Sequence, residues 1–242
     1  MDSGVRLNRY LATCGVGARR KVEALIRDGR VRIDGKVVLL PGYSVVPGAD
    51  VRVDGSPVAP QENRYLVMNK PPGVVCAVAD ERYPTVLGLL PKEFDDVRLF
   101  PVGRLDKESQ GLLILTNDGV LAHDVTHPSK RILREYEVQL DREITRREVR
   151  KLMAGALLDD RLIKPVNVLL LDREPYGAWI SVVLSEGIKR EVRRMVAEIG
   201  CEVVVLVRKR IGKMELKNLH QGQFVEMSRG ALWHAIRSGG IV

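Results

Sequence analysis

The sequence predicts an α+β protein in which a small N-terminal α+β module precedes a larger domain with a mainly antiparallel sheet and packed helices. Two observations predict this class. The first 59 residues alternate short helical and strand patterns, and beyond residue 64 strand-like apolar runs outnumber helical segments. The 242 residues are enough for one medium domain and a smaller one. We therefore predict domains at residues 1–59 and 65–242, joined by a polar linker at residues 60–64.

The N-terminal module contains two predicted helices and three predicted strands. Apolar residues recur at helical spacing from Leu7 to Ile26, and Gly15–Gly17 interrupts the pattern, which predicts two short helices. Asp34-Gly35 lies between two short apolar runs and predicts a hairpin turn. Val51–Val53 predicts a further strand. Together these elements predict a compact module that ends near Ala59.

Basic residues are concentrated near the first two helices of this module. They include Arg6, Arg19, Arg20 and Lys21. Cations at the start of a helix oppose the helix dipole, so their clustering requires another benefit. Phosphate binding is one such benefit, and a solvated helix face is the alternative.

The composition favours a polyanionic partner. The chain has 39 Lys and Arg against 31 Asp and Glu, a net charge of +8 and a pI near 9.5. No apolar run approaches the roughly 20 residues that cross a bilayer, and the first residues lack the apolar core of a signal peptide. We therefore expect a soluble cytoplasmic protein without a membrane partner. The three scattered cysteines predict neither a disulfide framework nor a zinc finger.

The second domain begins at Tyr65, and six apolar runs in it predict strands. These runs are Tyr65–Met68, Leu112–Leu115, Tyr136–Leu140, Val166–Leu171, Trp179–Leu184 and Val203–Val207. Helices are predicted near Thr145–Met153 and Arg190–Ile199. His123 and His127 are four residues apart, but Asp124 stands where a zinc protease has glutamate, so we assign no metal. No phosphate-binding glycine motif is present, and residues 228–242 suggest no function.

The run GRLDKESQGLLILTNDG, residues 103–119, places one carboxylate, Asp106, in a charged turn just before an apolar strand. An isolated loop aspartate usually caps a turn. The run as a whole resembles the signature motif of the pseudouridine synthases, in the RsuA/RluB branch that modifies ribosomal RNA. Glycine, arginine, leucine, aspartate, the downstream glycine and the apolar strand all match that family's spacing. Residues from Arg6 to about Val53 likewise resemble the RNA-binding module named after ribosomal protein S4.

The resemblance implies an enzyme that isomerises uridine to pseudouridine in ribosomal RNA without a cofactor, with Asp106 as the catalytic carboxylate. Because burial disfavours an ionised carboxylate, this residue needs a cationic partner. The stretch LSEGIKREVRRM, residues 184–195, resembles the family's third motif. Arg193 there matches the arginine that pairs with the aspartate, and Leu184 matches the apolar residue that packs against the target base. Glu191 stands where the family commonly has glutamine.

The resemblance also suggests the residues that hold the substrate. Tyr136 corresponds to a tyrosine that stacks on the flipped uracil and is a candidate base, and stacking is favoured because a phenol keeps its proton at neutral pH. Lys70, in NKPPG, is expected to buttress the pocket or to touch phosphate. Arg104 corresponds to an arginine that holds the surroundings of the target nucleotide open. Arg190 and Arg194 are expected to bind phosphate.

Three classes of function remain to be compared. The favoured one is a monomeric ribosomal RNA pseudouridine synthase that acts on free RNA or on a precursor particle, with the large subunit favoured by resemblance. A non-catalytic RNA-binding ribosome assembly factor on the same scaffold is the alternative, but such a protein could lose the aspartate, the tyrosine or the arginine, and this chain has all three. A metal-dependent nuclease would require convergent carboxylates or histidines that the sequence does not indicate.

Overall fold

A computed structural model describes residues 4–242, so the first three residues of the predicted N-terminal domain lie outside the described residues. The chain divides into two compact units. The first runs to Asn63 and includes Pro91–Arg98, and the second contains Arg64–Leu90 and Leu99–Val242. Among the described residues, no helix has the length and apolar composition needed to span a membrane.

Among its described residues, the first unit contains two α-helices and six short strands. They are β1 (Val5–Arg6), α1 (Leu7–Thr13), α2 (Arg19–Arg27), β2 (Val31–Ile33), β3 (Lys36–Val37), β4 (Ser44–Val45), β5 (Val51–Val53) and β6 (Ser56–Pro57). Four strands form an antiparallel sheet in the order β3-β2-β5-β6, and β1 pairs with β4. Leu7, Leu11, Val22 and Ile26 on the helices pack with the sheet in one core. Ala18 precedes α2 without a side-chain cap, although serine or threonine stabilises such an end by about 1 kcal/mol.

Gln61, within the predicted linker, is fixed by three hydrogen bonds inside the first unit. Its backbone N–H donates to the carbonyl of Thr13 at 2.9 Å. Its side-chain amide donates to the carbonyl of Asp96 at 2.6 Å and accepts from the N–H of Arg98 at 3.2 Å. These bonds explain why a segment from the later sequence, Pro91–Arg98, belongs to the first unit.

The second unit contains the remaining strands and helices. They are β7 (Tyr65–Lys70), β8 (Phe100–Val102), β9 (Gln110–Thr116), α3 (Gly119–Thr126), β10 (Arg134–Leu140), α4 (Arg146–Ala154), β11 (Ala156–Leu158), β12 (Arg161–Ile163), β13 (Asn167–Leu170), β14 (Trp179–Leu184), α5 (Glu191–Ala197), β15 (Val203–Ile211), β16 (Met214–Glu215), β17 (Phe224–Glu226), α6 (Arg229–Ser238) and β18 (Gly240–Ile241). Each of the six strands predicted for this domain is present. The largest sheet has the order β13-β14-β10-β15-β9-β7-β17.

The prediction of a mainly antiparallel sheet is confirmed, with one parallel contact at its centre. Along this order all neighbours pair antiparallel except β9 and β15, which pair parallel at Gln110 with Val207 and at Gly111 with Arg208. Beside it, the short strands β16 and β18 also pair parallel. Gly111 has φ +108°, and a Cβ there would overlap the backbone of Arg208. The second glycine of the signature run is therefore required by a close backbone approach.

Helices pack on this sheet over two apolar clusters. One cluster joins β10 and β14 to α5 through residues such as Val138, Ile180 and Met195. The other joins β7 and β9 to α3 and α6 through residues such as Ile114 and Leu121. The C-terminal residues, to which the sequence assigned no role, form α6 and β18, and β18 pairs with β16. That segment is therefore part of the fold of the second unit.

Candidate active site

Asp106 lies on the loop between β8 and β9, which are neighbours in the sheet. The loop turns tightly, because Gly103 has φ +74° and the N–H of Ser109 donates to the carbonyl of Asp106 at 3.1 Å. The strand that follows is fully buried from Leu112 to Leu115. A short loop between two paired strands, the second of them buried, therefore fixes the backbone that carries the carboxylate.

Lys70 anchors this loop from the inside of the protein. Its side chain is fully buried, and its ammonium donates to the carbonyls of Pro71 at 2.9 Å, Lys107 at 3.2 Å and Ser109 at 2.7 Å. Burial lowers the pKa of the Lys70 ammonium. The N–H of Gly73 adds a further bond to the carbonyl of Lys107 at 2.8 Å. Of the two roles expected for Lys70, these bonds favour buttressing the pocket over a contact with phosphate, because its ammonium is held by loop carbonyls and does not line the pocket, although it was grouped with the substrate-binding residues.

A cavity of about 410 Å³ opens beside Asp106, within the range of roughly 300–1,000 Å³ that is usual for small-molecule sites. Its lining includes Arg104, Asp106, Ser109, Thr126, Arg134, Tyr136, Leu184, Glu191, Arg190, Leu206 and Arg208. The buried side chains of Tyr136 and Leu184 belong to the adjacent strands β10 and β14. A β-bulge in the pairing of β10 with β15 falls directly before Tyr136, and such bulges redirect side chains.

Arg193 is the cation that the fold places next to Asp106. Its Nε lies 4.0 Å from Oδ2 of Asp106, and both side chains are largely buried, with 16% and 30% of their surface exposed. The guanidinium also donates to the carbonyl of Val203 at 3.0 Å, which fixes its direction. The Asp106 and Arg193 pairing implied by the third motif is thus present as an ion pair of long separation, although its catalytic role remains a prediction.

Two further arginines, Arg134 and Arg208, line the pocket, and neither was predicted as a site residue. Arg134 donates to the carbonyls of Val125 at 3.0 Å and Ile132 at 3.3 Å, and burial lowers the pKa of its guanidinium. Arg208 is 3% exposed and donates through Nε to the carbonyl of Leu112 at 2.7 Å. Arg208 directly follows the apolar run Val203–Val207, and a charged side chain at the end of such a run was the available signal for it.

Three buried polar atoms around Asp106 have no hydrogen-bond partner in the part of the chain that the structure describes. They are Oγ of Ser109, Nε of Arg193 and Nη2 of Arg208. Buried polar groups in folded proteins are nearly always paired, and groups left unpaired call for an explanation. Their concentration around one pocket is typical of a site that a bound molecule or water completes.

The entrance to α5 forms another wall of the pocket. Arg190 is exposed and adopts the left-handed conformation, with φ +54° directly before the helix, which is uncommon for a residue with a side chain. Glu191 is buried and accepts a hydrogen bond from the N–H of Ile188 at 2.9 Å. Burial raises the pKa of the Glu191 carboxyl. The motif therefore presents an exposed cation and a buried carboxyl side by side.

The remaining predicted residues divide into two groups. Arg104 lines the pocket and is exposed. Arg194 does not line it, because its guanidinium binds Asp159 through two hydrogen bonds of 3.0 Å. In the N-terminal unit, Arg6, Arg19, Arg20 and Lys21 are exposed, and none of them forms an ion pair with another described residue. Within residues 4–242, no three of the His, Cys, Asp and Glu side chains are grouped as metal ligands would be.

Comparison with known proteins gives consistent findings for both units. The family model described as RNA pseudouridylate synthase matches residues 64–198, and the S4 domain model matches residues 5–51. An uncharacterized RNA pseudouridine synthase of Aquifex aeolicus is 37% identical over 93% of each chain. The ribosomal large subunit pseudouridine synthase B of Bacillus subtilis is 35% identical over 92% of each chain. A crystal structure of a pseudouridylate synthase superposes with a TM-score of 0.68 at 26% identity, over 95% of this chain and 99% of that one.

Proposed function

Since the chain belongs to the RNA pseudouridylate synthase family and carries an S4 domain, we propose that it isomerises a specific uridine of large-subunit ribosomal RNA, with Asp106 as the catalytic carboxylate. The observation that carries this assignment is the position of Asp106 in a pocket beside Arg193, on a loop anchored by buried Lys70. The pocket combines a carboxylate, cations and apolar walls, as the reaction requires.

The reaction moves one bond of the nucleotide and needs no net oxidation. The bond from C1′ of the sugar to N1 of uracil breaks, the base turns, and a new bond forms from C1′ to C5. The proton on C5 leaves and N1 gains a proton, so the atoms balance without a cofactor. We assign Asp106 to the attack that separates sugar and base, because an ionised carboxylate can act as a nucleophile or stabilise positive charge at the sugar. Arg193 holds this carboxylate in place.

The apolar walls receive the base. A uridine in folded RNA is stacked, and flipping it out costs a few kcal/mol, which contacts in the pocket must offset. We assign the stacking surface to Tyr136 and a further apolar contact with the base to Leu184, since both line the cavity and are buried. Arg104 and Arg190 are exposed at the same cavity and are suited to phosphate. Arg194 has a carboxylate partner in Asp159, so its phosphate contact depends on breaking that pair.

The wider context is proposed from the relatives. The similarity to large-subunit pseudouridine synthases supports the large subunit as the target, as free RNA or as a precursor particle. We propose that the protein acts as a monomer in the cytoplasm, where bacterial ribosomes are assembled. The S4 domain supplies RNA affinity through Arg6, Arg19, Arg20 and Lys21, which are exposed cations.

The test is to map pseudouridine after incubating the protein with deproteinised ribosomal RNA of both subunits. Carbodiimide labelling and primer extension should give a new stop on large-subunit RNA with the wild type and none with Asp106→Asn. The affinity of that variant for RNA should stay within about threefold, because one pocket charge is small beside the phosphate contacts. Glu108→Gln is the matched control, since Glu108 is an exposed carboxylate in the same loop, and it should keep the stop.

Two outcomes would contradict this proposal. A stop that persists with Asp106→Asn would remove Asp106 from the catalytic role. Tight binding without a stop, on free RNA and on immature ribosomal subunits, would favour the alternative of a non-catalytic assembly factor. A stop that appears only on immature subunits would identify a precursor particle as the substrate.

A further inference from the structure

A second cavity, of about 340 Å³, opens in the same unit between α3, the segment that leads into β10, and α6. We call it the Trp233 groove and define it by Lys130, Arg131, Leu133, Lys213, Trp233 and Arg237. No motif in the sequence pointed to this groove, because its residues come from three separate segments of the chain.

The groove combines unpaired cations with an aromatic surface. Arg131, Lys213 and Arg237 are exposed and make no ion pair with any residue from 4 to 242, whereas Lys130 is paired with Asp124 at 3.3 Å. The guanidinium of Arg237 lies 4.6 Å from the centre of the Trp233 ring. Unpaired cations beside a stacked guanidinium and indole offer sites for phosphates and for a base.

Backbone contacts fix the floor of the groove. The N–H of Gly212 donates to the carbonyl of Leu133 at 2.8 Å, and the N–H of Lys213 donates to the carbonyl of Ile236 at 2.8 Å. Gly212 has φ +60°, and a Cβ there would overlap the carbonyl oxygen of Ile236. The three segments therefore meet at a close backbone junction that holds the cations around the cavity.

The Trp233 groove shares a wall with the pocket of Asp106. Thr126 and Arg134 line that pocket, while the residues between them line the groove from Lys130 to Leu133. The Arg134 guanidinium donates to the carbonyls of Val125 and Ile132, at both ends of this wall. The groove and the pocket are therefore next to each other, with the segment from Thr126 to Arg134 between them.

We propose that the Trp233 groove binds the single-stranded RNA that flanks the target uridine. Arg131 and Lys213 contact phosphates, and a neighbouring base stacks on the Arg237 and Trp233 pair. This proposal rests on the proposed function, because it takes RNA as the substrate of the second unit. It adds a binding surface next to the catalytic pocket, separate from the cations of the S4 domain.

The test measures binding of the full chain to a labelled oligouridylate of about 12 nucleotides across a range of salt concentrations. Each phosphate contact with a single strand contributes about 0.7 to the slope of log affinity against log salt. Changing Arg131, Lys213 and Arg237 together to glutamine should lower the magnitude of this slope by about 1.4, for the two phosphate contacts, and weaken binding roughly 10-fold at low salt. Arg237→Lys should keep the slope and weaken binding about threefold, because it retains the charge and loses the planar stack.

The control variant removes the same charge elsewhere in the unit. Arg146→Gln, Lys164→Gln and Arg173→Gln change three exposed cations, and Arg173 lies over Trp179 much as Arg237 lies over Trp233. If the control lowered the salt dependence of RNA affinity equally, net charge alone would explain the effect and the proposal would be overturned. Unchanged binding by the groove variant would overturn it as well. Binding is scored without turnover, so a failure to form pseudouridine would refute the proposed function alone.

Discussion

The N-terminal unit and the second unit use their cations in opposite ways. In the S4 domain, Arg19, Arg20 and Lys21 are exposed and have no ion-pair partner among the described residues. Around the pocket of Asp106, Arg134, Arg193 and Arg208 are largely buried and donate to backbone carbonyls. Exposed cations give affinity that falls with salt, whereas buried cations provide fixed charge and geometry. We therefore predict that RNA affinity and turnover depend on separate sets of residues, which mutations can separate.

The largest expected effect concerns the buried cations around the pocket of Asp106. Arg193→Gln removes the cation beside Asp106 and should lower kcat roughly 10²-fold or more, because fixed charges at a reacting centre contribute at this level. RNA affinity should stay within about threefold. Single-turnover kinetics at saturating RNA measures the first quantity, and filter binding measures the second.

Arg142→Gln is the matched control for this change. Arg142 also donates to a backbone carbonyl, that of Ile199, but it lies on the surface and pairs with Glu148. Its substitution should leave kcat unchanged. If Arg193→Gln lowered RNA affinity by as much as it lowered kcat, the predicted separation between the exposed and the buried cations would be wrong.

The effect of intermediate size concerns the exposed cations of the S4 domain. Changing Arg19, Arg20 and Lys21 together to glutamine should weaken RNA binding roughly 10-fold at low salt and lower the salt slope by about 2, because three phosphate contacts are lost. Turnover at saturating RNA should not change. The control changes Arg27, Arg30 and Arg52 to glutamine, since each of these already pairs with a carboxylate. An equal loss with the control would assign the effect to net charge.

The smallest effect concerns the buried carboxyl of the pocket. Burial raises the pKa of Glu191 above its ordinary value of 4.5. Between the pKa of the unfolded chain and the higher pKa of the folded protein, the folded protein therefore binds more protons than the unfolded chain. The stability contribution of this group is therefore present below pH 4.5 and is lost as the pH rises through the folded pKa. Urea unfolding at a series of pH values measures this decline in the free energy of unfolding, and Glu191→Gln should make it smaller. An unchanged pH profile would contradict the assignment.

The sequence predicted six strands and two helices of the second domain because their signals are local, but it did not predict α3, α6 or short strands such as β11 and β12. Trp179–Leu184 was predicted with the same limits that β14 has, since a buried strand is a continuous apolar run. The proximity of Asp106 and Arg193 could be expected only from the family resemblance. The structure brings them to a 4.0 Å separation through the packing of α5 beside the sheet.

Other features could not be predicted because they depend on long-range pairing. The strands β9 and β15 pair parallel through only two positions, and no local pattern encodes which strands become neighbours. Arg208 faces the pocket because of that pairing, whereas a strand pattern alone would place a charged residue in solvent. The sequence left open whether Lys70 buttresses the pocket or touches phosphate, because its burial depends on three carbonyls contributed by two separate segments.

The central pairing of β9 with β15 also has a consequence for the order of folding. The bond from Arg208 to the carbonyl of Leu112 joins residues 96 positions apart, whereas β2 and β5 of the S4 domain pair within Val31–Val53. Contacts between distant residues form more slowly than local ones, because the closing of a long loop must precede them. A denatured chain diluted from urea should therefore recover RNA affinity before it recovers turnover. The delay would measure how late β9 and β15 join the two halves of the largest sheet.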